Sequence, residues 1–321
     1  MRGDALLNRV LVIRGGAIGD FILTLPAIKL LRDGFLRAQL EILGYPHIIA
    51  LAEKRFYADA IHSIEYGALA GFFAKDAALS PELVAYFGNF DLVISYLFDP
   101  DAIFETNLKR CCSKRFIAGP AKLASHEHAA QQLARPLEPL GLRLENRAAK
   151  IYPSDADRDF GRSFLGDAAQ PVIAFHPGSG SETKNWPIEN WKELGDHLLS
   201  QGRNLLVVAG EADVDRVRFL ELAWGGERVQ FAKHLPLPRL GALLENSIFI
   251  GHDSGISHLA AAVDARCVLL FGPTDPAIWA PIGETVTALA APQRDQRLLA
   301  VDSVLEAIER AYELMRIGIS T

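Results

Sequence analysis

Three segments of this 321-residue chain set glycines, hydroxyls and a few ionisable side chains between a β-like apolar run and a helical pattern. Loop residues and helix-end amides meet ligands in that arrangement. The first segment is Arg14-Gly15-Gly16-Ala17-Ile18-Gly19-Asp20, followed by Phe21-Ile22-Leu23-Thr24-Leu25-Pro26. Its glycines allow close backbone approach to a ligand, but the spacing is not the GxGxxG of dinucleotide binders. Asp20 falls where the helix begins. Its carboxylate can cap the first-turn amides or take the proton of an attacking hydroxyl as a general base, and the motif alone leaves both open. Pro26 removes an amide donor and predicts a local kink.

The second segment, Phe175-His176-Pro177-Gly178-Ser179-Gly180-Ser181-Glu182-Thr183-Lys184-Asn185-Trp186-Pro187, repeats the strand, loop, helix order. Ser179 and Gly180 lie in a loop whose amides and hydroxyls suit phosphate oxygens, and Lys184 supplies charge for a leaving group that turns anionic. A solvated lysine is the plainer reading, and no GK[ST] makes this a Walker A loop. The third segment runs Ile250-Gly251-His252-Asp253-Ser254-Gly255-Ile256-Ser257-His258-Leu259. Helix-end amides at Ser254 and Gly255 carry partial positive charge suited to a diphosphate, with Ser257 and His258 as further donors. Packing is the commoner use of a helical histidine, and Asp253, His252 and His258 lack the spacing of a metal site.

Smaller features follow neighbouring strands. Gly210-Glu211-Ala212-Asp213 offers acids that either accept from ribose hydroxyls or sit in a helix's first turn. Phe271-Gly272-Pro273-Thr274-Asp275-Pro276 reads as a rigid turn. Asp99-Pro100-Asp101 offers two carboxylates to a metal but suits helix capping better.

Such loops need rigid elements behind them. Strand-like runs at 9–14, 40–43, 91–94 and 115–118 alternate with helices near 20–33, 47–57, 80–88 and 125–139. A second set has strands at 171–175, 204–208, 247–250 and 267–270 with helices near 188–201, 213–223, 237–245 and 255–263. This alternation predicts an α/β fold with mostly parallel sheets. Between the sets, Tyr152-Pro153 and the polar run 154–159 mark the boundary of two domains, 1–150 and 151–321, the run capping a new helix. Two doubly wound sheets would bind ligand at the carboxyl ends of their strands, in a cleft between them.

Charge narrows the partners. Residues 1–150 carry 18 Lys and Arg against 16 Asp and Glu, and residues 151–321 carry 15 against 23. A net charge of −6 argues against a nucleic-acid binder, which needs clustered cations. Lys109-Arg110, Lys114-Arg115 and Lys122 could meet an anionic surface, though an ordinary solvated face explains them as well. Three cysteines, two of them the neighbours Cys111 and Cys112, match neither a zinc spacing nor a disulfide framework, as expected for a reducing cytoplasm. Arg14 and Asp20 interrupt the apolar N-terminus, so neither a signal peptide nor a membrane span is expected there.

In this order and at these separations, the three motifs resemble glycosyltransferase family 9, the ADP-heptose:lipopolysaccharide heptosyltransferases. The likeness spans residues 9 to about 283, strongest at Gly19-Asp20 with Thr24-Leu25-Pro26, at Lys184-Asn185-Trp186-Pro187, and at Asp253 to Leu259 leading into Phe271 to Pro276. It implies a GT-B architecture: two Rossmann-like domains facing a cleft, acceptor on the first, nucleotide-sugar on the second, with inversion at the anomeric carbon. The resemblance makes Asp20 the catalytic base and Lys184 the phosphate-binding lysine. It makes Asp253, Ser254, Gly255, Ser257 and His258 the diphosphate segment, and Ser179 and Gly180 part of the donor loop. Asp213 becomes the ribose acid, and His234, on the loop after a short strand, lines the base pocket. The implied donor is ADP-heptose, with no metal or other cofactor required. The implied acceptor is a lipopolysaccharide core or related glycan, met through peripheral contact with the inner membrane. A closing helix, roughly 302–316, would help join the domains. His252 departs from the family's usual asparagine, and Arg14-Gly15-Gly16 from its usual first loop, which bears on donor or acceptor choice.

Two other classes stay open on sequence. A nucleotide-sugar epimerase of the same architecture would interconvert donor without acceptor, and a noncatalytic module would bind ADP without turnover.

Overall fold

The computed structural model describes residues 7–111, 114–120, 122–166, 171–210, 213–226 and 228–318. Cys112 and Glu211, singled out above, lie outside them. The chain divides into two compact units, Met1–Arg147 and Ala148–Thr321.

The first unit alternates β1 (Arg9–Arg14), α1 (Ile18–Gly34), β2 (Gln39–Gly44), α2 (Pro46–Ile49), β3 (Ala60–Ser63), α3 (Pro81–Gly88), β4 (Leu92–Ser95), α4 (Ile103–Lys109), β5 (Phe116–Ala118) and α5 (Ala129–Ala134). Its sheet is parallel throughout, in the order β3-β2-β1-β4-β5. A parallel sheet is covered on both faces, so its central strands must be apolar along their length. Val10 to Ile13 in β1 and Leu92 to Ile94 in β4 are accordingly buried. Phe72, Phe87 and Phe104 pack there with their rings tilted against one another.

The second unit opens with α6 (Asp155–Leu165). Ser154 Oγ accepts from the Asp157 amide while Asp157 Oδ2 accepts from the Ser154 amide, a reciprocal capping box. Then come β6 (Ile173–His176), α7 (Ile188–Ser200), β7 (Leu205–Ala209), α8 (Val214–Ala223), β8 (Val229–Lys233), α9 (Leu237–Leu244), β9 (Ile248–His252), α10 (Gly255–Ala262), β10 (Arg266–Phe271), α11 (Pro276–Trp279), β11 (Val286–Ala290) and α12 (Val301–Gly318). Six parallel strands run β11-β10-β9-β6-β7-β8. The core carries Phe175, Trp186, Trp191 and Trp224, with Trp186 and Trp191 edge to face at 5.6 Å.

Both sheets reverse direction once, at β1/β4 and at β6/β9. Connections leave such a pair of strands toward opposite faces and open a crevice at their carboxyl ends. The first motif leaves β1, the second β6 and the third β9. Register brings His176 beside Gly251, so the second and third motifs start side by side although 75 residues separate those two positions.

Several elements differ from the sequence reading. The helix expected at 47–57 stops at Ile49, and Lys54 adopts a left-handed φ of 52°, incompatible with helix continuation. The helix expected at 125–139 is α5 followed by a 3-10 turn, Arg135–Leu140, because Pro136 and Pro139 offer no amide to an α-helical ladder. Strands β3 and β11 were not legible: both are sheet edges, with partly exposed side chains and no long apolar run. Helix α1 carries Pro26 in its interior without ending there. Asp99 accepts from the Phe104 and Glu105 amides and so caps α4 rather than offering a metal ligand. The closing helix α12 buries Val304, Ala307 and Ile308 in the second unit's own core.

Candidate functional site

Asp20 occupies the first turn of α1, and its Oδ2 accepts from the Ala17 amide at 2.9 Å. Gly16, at φ +93°, lies against it, and a Cβ there would stand 2.8 Å from Oδ2. Arg14, at the end of β1, reaches Asp20 Oδ1 at 3.4 Å and donates to the backbone carbonyls of Asp20 and Tyr96. Burial lowers the Arg14 pKa, opposed by the Asp20 carboxylate, and a guanidinium stays charged regardless. Thr24 Oγ1 donates to the Asp20 carbonyl at 2.7 Å. The capping reading is thus realised, and the carboxylate still stands about 41 % exposed, open to a hydroxyl.

In the second unit the remaining predicted residues gather around the β6/β9 reversal, except His234, which follows the edge strand β8 two strands away from β6. Lys184 Nζ donates to Asp253 Oδ2 at 2.7 Å, joining two loops 69 residues apart. Ser179 Oγ donates to Asn185 Oδ1 at 2.8 Å, folding the loop onto itself. Ser254 caps α10, its Oγ accepting from the Ser257 amide at 3.4 Å. Ser257 Oγ donates to the His252 carbonyl, and His258 is buried with its amide bonded to Ser254 O. Gly255 opens the helix, whose first amides have no carbonyl within it to bond.

Asp213 is drawn inward. Its Oδ2 lies 3.2 Å from His176 Nε2 and accepts from the Gly210 amide at 3.0 Å. His176 Nδ1 in turn lies 3.4 Å from Ser254 Oγ, so a chain of polar groups joins Asp213 to the α10 cap. Burial works to raise the Asp213 pKa, but the hydrogen bond and charge of His176 and the Gly210 amide outweigh it and hold the carboxyl below its ordinary range. Asp213 Oδ1 is buried without a hydrogen-bond partner and faces Gly178, where a Cβ would fall 1.5 Å from it. His234 is exposed at φ +51°, after β8, with its amide on Ala209 O. Gly180 is likewise exposed, with nothing near a Cβ.

Motif reading gave no role to His176, Asn185, Arg216 or His252, all of which hold the loops. Arg216 bonds Trp186 O and Glu182. The available signal was a histidine closing each of two buried strands, β6 and β9. His252 is fully buried, and burial pushes its pKa down to about 3.

That depression has a sign. Above the ordinary value of 6.5 both folded and unfolded His252 are neutral. As pH falls toward 3, the unfolded chain takes a proton that the folded one refuses, so stability declines by up to about 1.4 kcal/mol per pH unit. Urea unfolding of the wild type and His252→Gln at about pH 7.5 and about pH 5 should show a loss smaller by about 1–2 kcal/mol in the variant. Equal losses would mean that His252 titrates normally.

Among the described residues, no group of three or more His, Cys, Asp or Glu is placed to hold a metal ion, and no helix is long and apolar enough to cross a membrane. Lys109 pairs with Glu105 and Lys114 with Asp91 on the first unit's surface.

The model of glycosyltransferase family 9 (heptosyltransferase) matches residues 123–306, more than half of the chain. Lipopolysaccharide heptosyltransferase 1 of Pseudomonas aeruginosa is 25 % identical over 311 residues, covering 88 % of this chain and 84 % of its own. Among solved structures, a family 9 glycosyl transferase of Veillonella parvula superposes with a TM-score of 0.80 at 18 % identity, over 96 % of this chain and 98 % of that one. An E. coli heptosyltransferase with ADP-2-deoxy-2-fluoro heptose gives 0.69 at 20 % identity, over 94 % and 99 %. These likenesses show the fold, that of the GT-B enzymes.

Proposed function

This chain belongs to glycosyltransferase family 9, and we propose that it moves heptose from ADP-heptose to a lipopolysaccharide core or related acceptor, with inversion at the anomeric carbon. The observation that carries the reading is the Lys184–Asp253 pair, which joins the two loops of the β6/β9 reversal beside the open amides of α10. A lysine held next to a helix N-terminus is suited to a diphosphate, and the same charges stabilise it as it departs. The relative solved with an ADP-heptose analogue supports the choice of donor.

In this reading the second unit holds the donor. Lys184 exchanges Asp253 for a phosphate oxygen, and the Gly255 and Ile256 amides take others. Ser179, Gly180, Ser257 and His258 complete the phosphate environment, and His234 borders the base. Asp213 accepts from a ribose hydroxyl through Oδ1, its one unpartnered oxygen, which requires the Gly178 segment to give way. The first unit holds the acceptor. Asp20 removes the proton from the acceptor hydroxyl as the new C–O bond forms at the anomeric carbon, and the sugar–phosphate bond breaks with its electron pair leaving on ADP. Charge on the departing ADP is met by Lys184 and the helix amides, which leaves no step for a metal. A glycolipid acceptor implies peripheral contact with the cytoplasmic face of the membrane.

The test is ADP release from ADP-heptose with and without a heptose-deficient lipopolysaccharide, with UDP- and GDP-sugars in parallel. Acceptor-dependent release with a product heavier by one heptosyl unit is expected. Folded protein that releases ADP only from another donor, or none at all, would overturn the assignment of donor and acceptor.

A further inference from the structure

His252 takes no part in the chemistry above, yet it touches both ends of the loop that carries Lys184. Its Nε2 accepts from the Trp186 amide at 2.8 Å, so the ring proton resides on Nδ1, which faces Gly178 O at 3.4 Å. One imidazole therefore spans residues 178–186. The downstream end is anchored further: Trp186 is fully buried, its indole N–H donates to Leu299 O, and Arg216 donates to its carbonyl. The His252 carbonyl accepts from Ser257 Oγ, tying the same residue to α10. The next residue, Asp253, holds the Lys184 amine.

We infer that His252 is a positioning residue for Lys184: by pinning the Trp186 amide it fixes, two residues upstream, where the lysine meets the sugar-linked phosphate of the donor. The inference rests on the reading of Lys184 as a phosphate ligand. Its physical content is an acceptor in a fixed place. A phenylalanine, somewhat larger than the imidazole, would keep an aromatic ring against Trp191, whose ring lies 5.5 Å from the imidazole, but it would leave a buried amide without a partner, and the loop would shift to find one. Preorganisation of this kind shows in affinity for the group that the loop addresses, not in binding generally.

ADP and AMP differ by the phosphate in question, so the ratio of their affinities reads the lysine's placement. Calorimetric titrations should compare the wild type with Lys184→Ala, His252→Phe, His252→Asn, His252→Gln and the double variant Lys184→Ala/His252→Phe, each checked for a cooperative thermal transition. Lys184→Ala should bring the ADP/AMP ratio down by about tenfold or more. His252→Phe should lower it by about tenfold, with AMP affinity changed by less than about threefold. His252→Gln, which reaches the Trp186 amide with a carbonyl oxygen, should recover most of the ratio. His252→Asn, one methylene shorter, can serve Gly178 O but not Trp186, and should not. The double variant should be no worse than Lys184→Ala alone, since two groups acting through one contact are not additive.

A ratio unchanged in Lys184→Ala would remove the lysine's phosphate role itself. A ratio that falls in Lys184→Ala but holds in His252→Phe would overturn the positioning role only, as would equal losses in the asparagine and glutamine variants. Should the phenylalanine variant not fold, the asparagine and glutamine pair decides the matter.

Discussion

Asp20→Asn is expected to cut turnover by about 10²- to 10⁴-fold, the usual worth of a positioned general base, while ADP affinity changes by less than about twofold. Asparagine keeps what holds the loop together. Its side-chain carbonyl can still accept from the Ala17 amide, and the bonds from Arg14 and Thr24 go to the backbone carbonyl of residue 20. The ion pair to Arg14 at 3.4 Å is lost, but the guanidinium, only 11 % exposed, keeps its bonds to the backbone carbonyls of residue 20 and Tyr96. What disappears is the ability to accept a proton. Asp20→Ala would in addition remove the cap, costing about 1 kcal/mol of stability, so comparing the two variants separates chemistry from folding. Steady-state rates and an ADP titration are the measurements. Normal turnover in the asparagine variant would leave Asp20 as a helix cap and nothing more.

Gly178→Ala should destabilise the second unit by about 3 kcal/mol or more, because a methyl group would overlap a buried carboxylate that has nowhere to go. The Cβ would lie 1.5 Å from Asp213 Oδ1 and 2.4 Å from its Cγ. Asp213 is only 3 % exposed, and its other oxygen is committed to His176 and the Gly210 amide. Moving it breaks those contacts, and through His176 disturbs the cap at Ser254. Gly180→Ala is the matched control. That glycine lies in the same loop, with no atom within 4 Å of a Cβ, and its replacement should shift stability by less than about 0.5 kcal/mol. Urea midpoints and donor affinity compare the two. Equal tolerance of both substitutions would refute the close approach of Gly178 to Asp213, and with it the account of why this loop requires glycine there.

How much of this was legible in advance depended on the range of each interaction. Strands β1, β6, β9 and β10 are central and buried on both faces, so their apolar runs announced them. Ser154 and Asp157 cap α6 through neighbours three residues apart, and Asp99 caps α4 within six. Asp20 was legible as a residue at a helix start for the same reason: its contact with Ala17 is local. Edge strands β3 and β11 carried no such signal, because one side of an edge faces solvent and its composition relaxes accordingly.

By itself the sequence determined the alternation of strands and helices, the punctuation between them, and the order of three motifs that together point to family 9. Each depends on residues within one turn, one strand or one loop. Only the tertiary structure decided which side chains meet: Lys184 with Asp253 across 69 positions, Trp186 with His252 across 66, and His176 with Asp213 across 37. Those meetings follow from β6 lying between β9 and β7, an order chosen by how the whole sheet buries its apolar faces. No local pattern encodes it, and so the histidines that organise the loops stood in plain view in the sequence without a visible role.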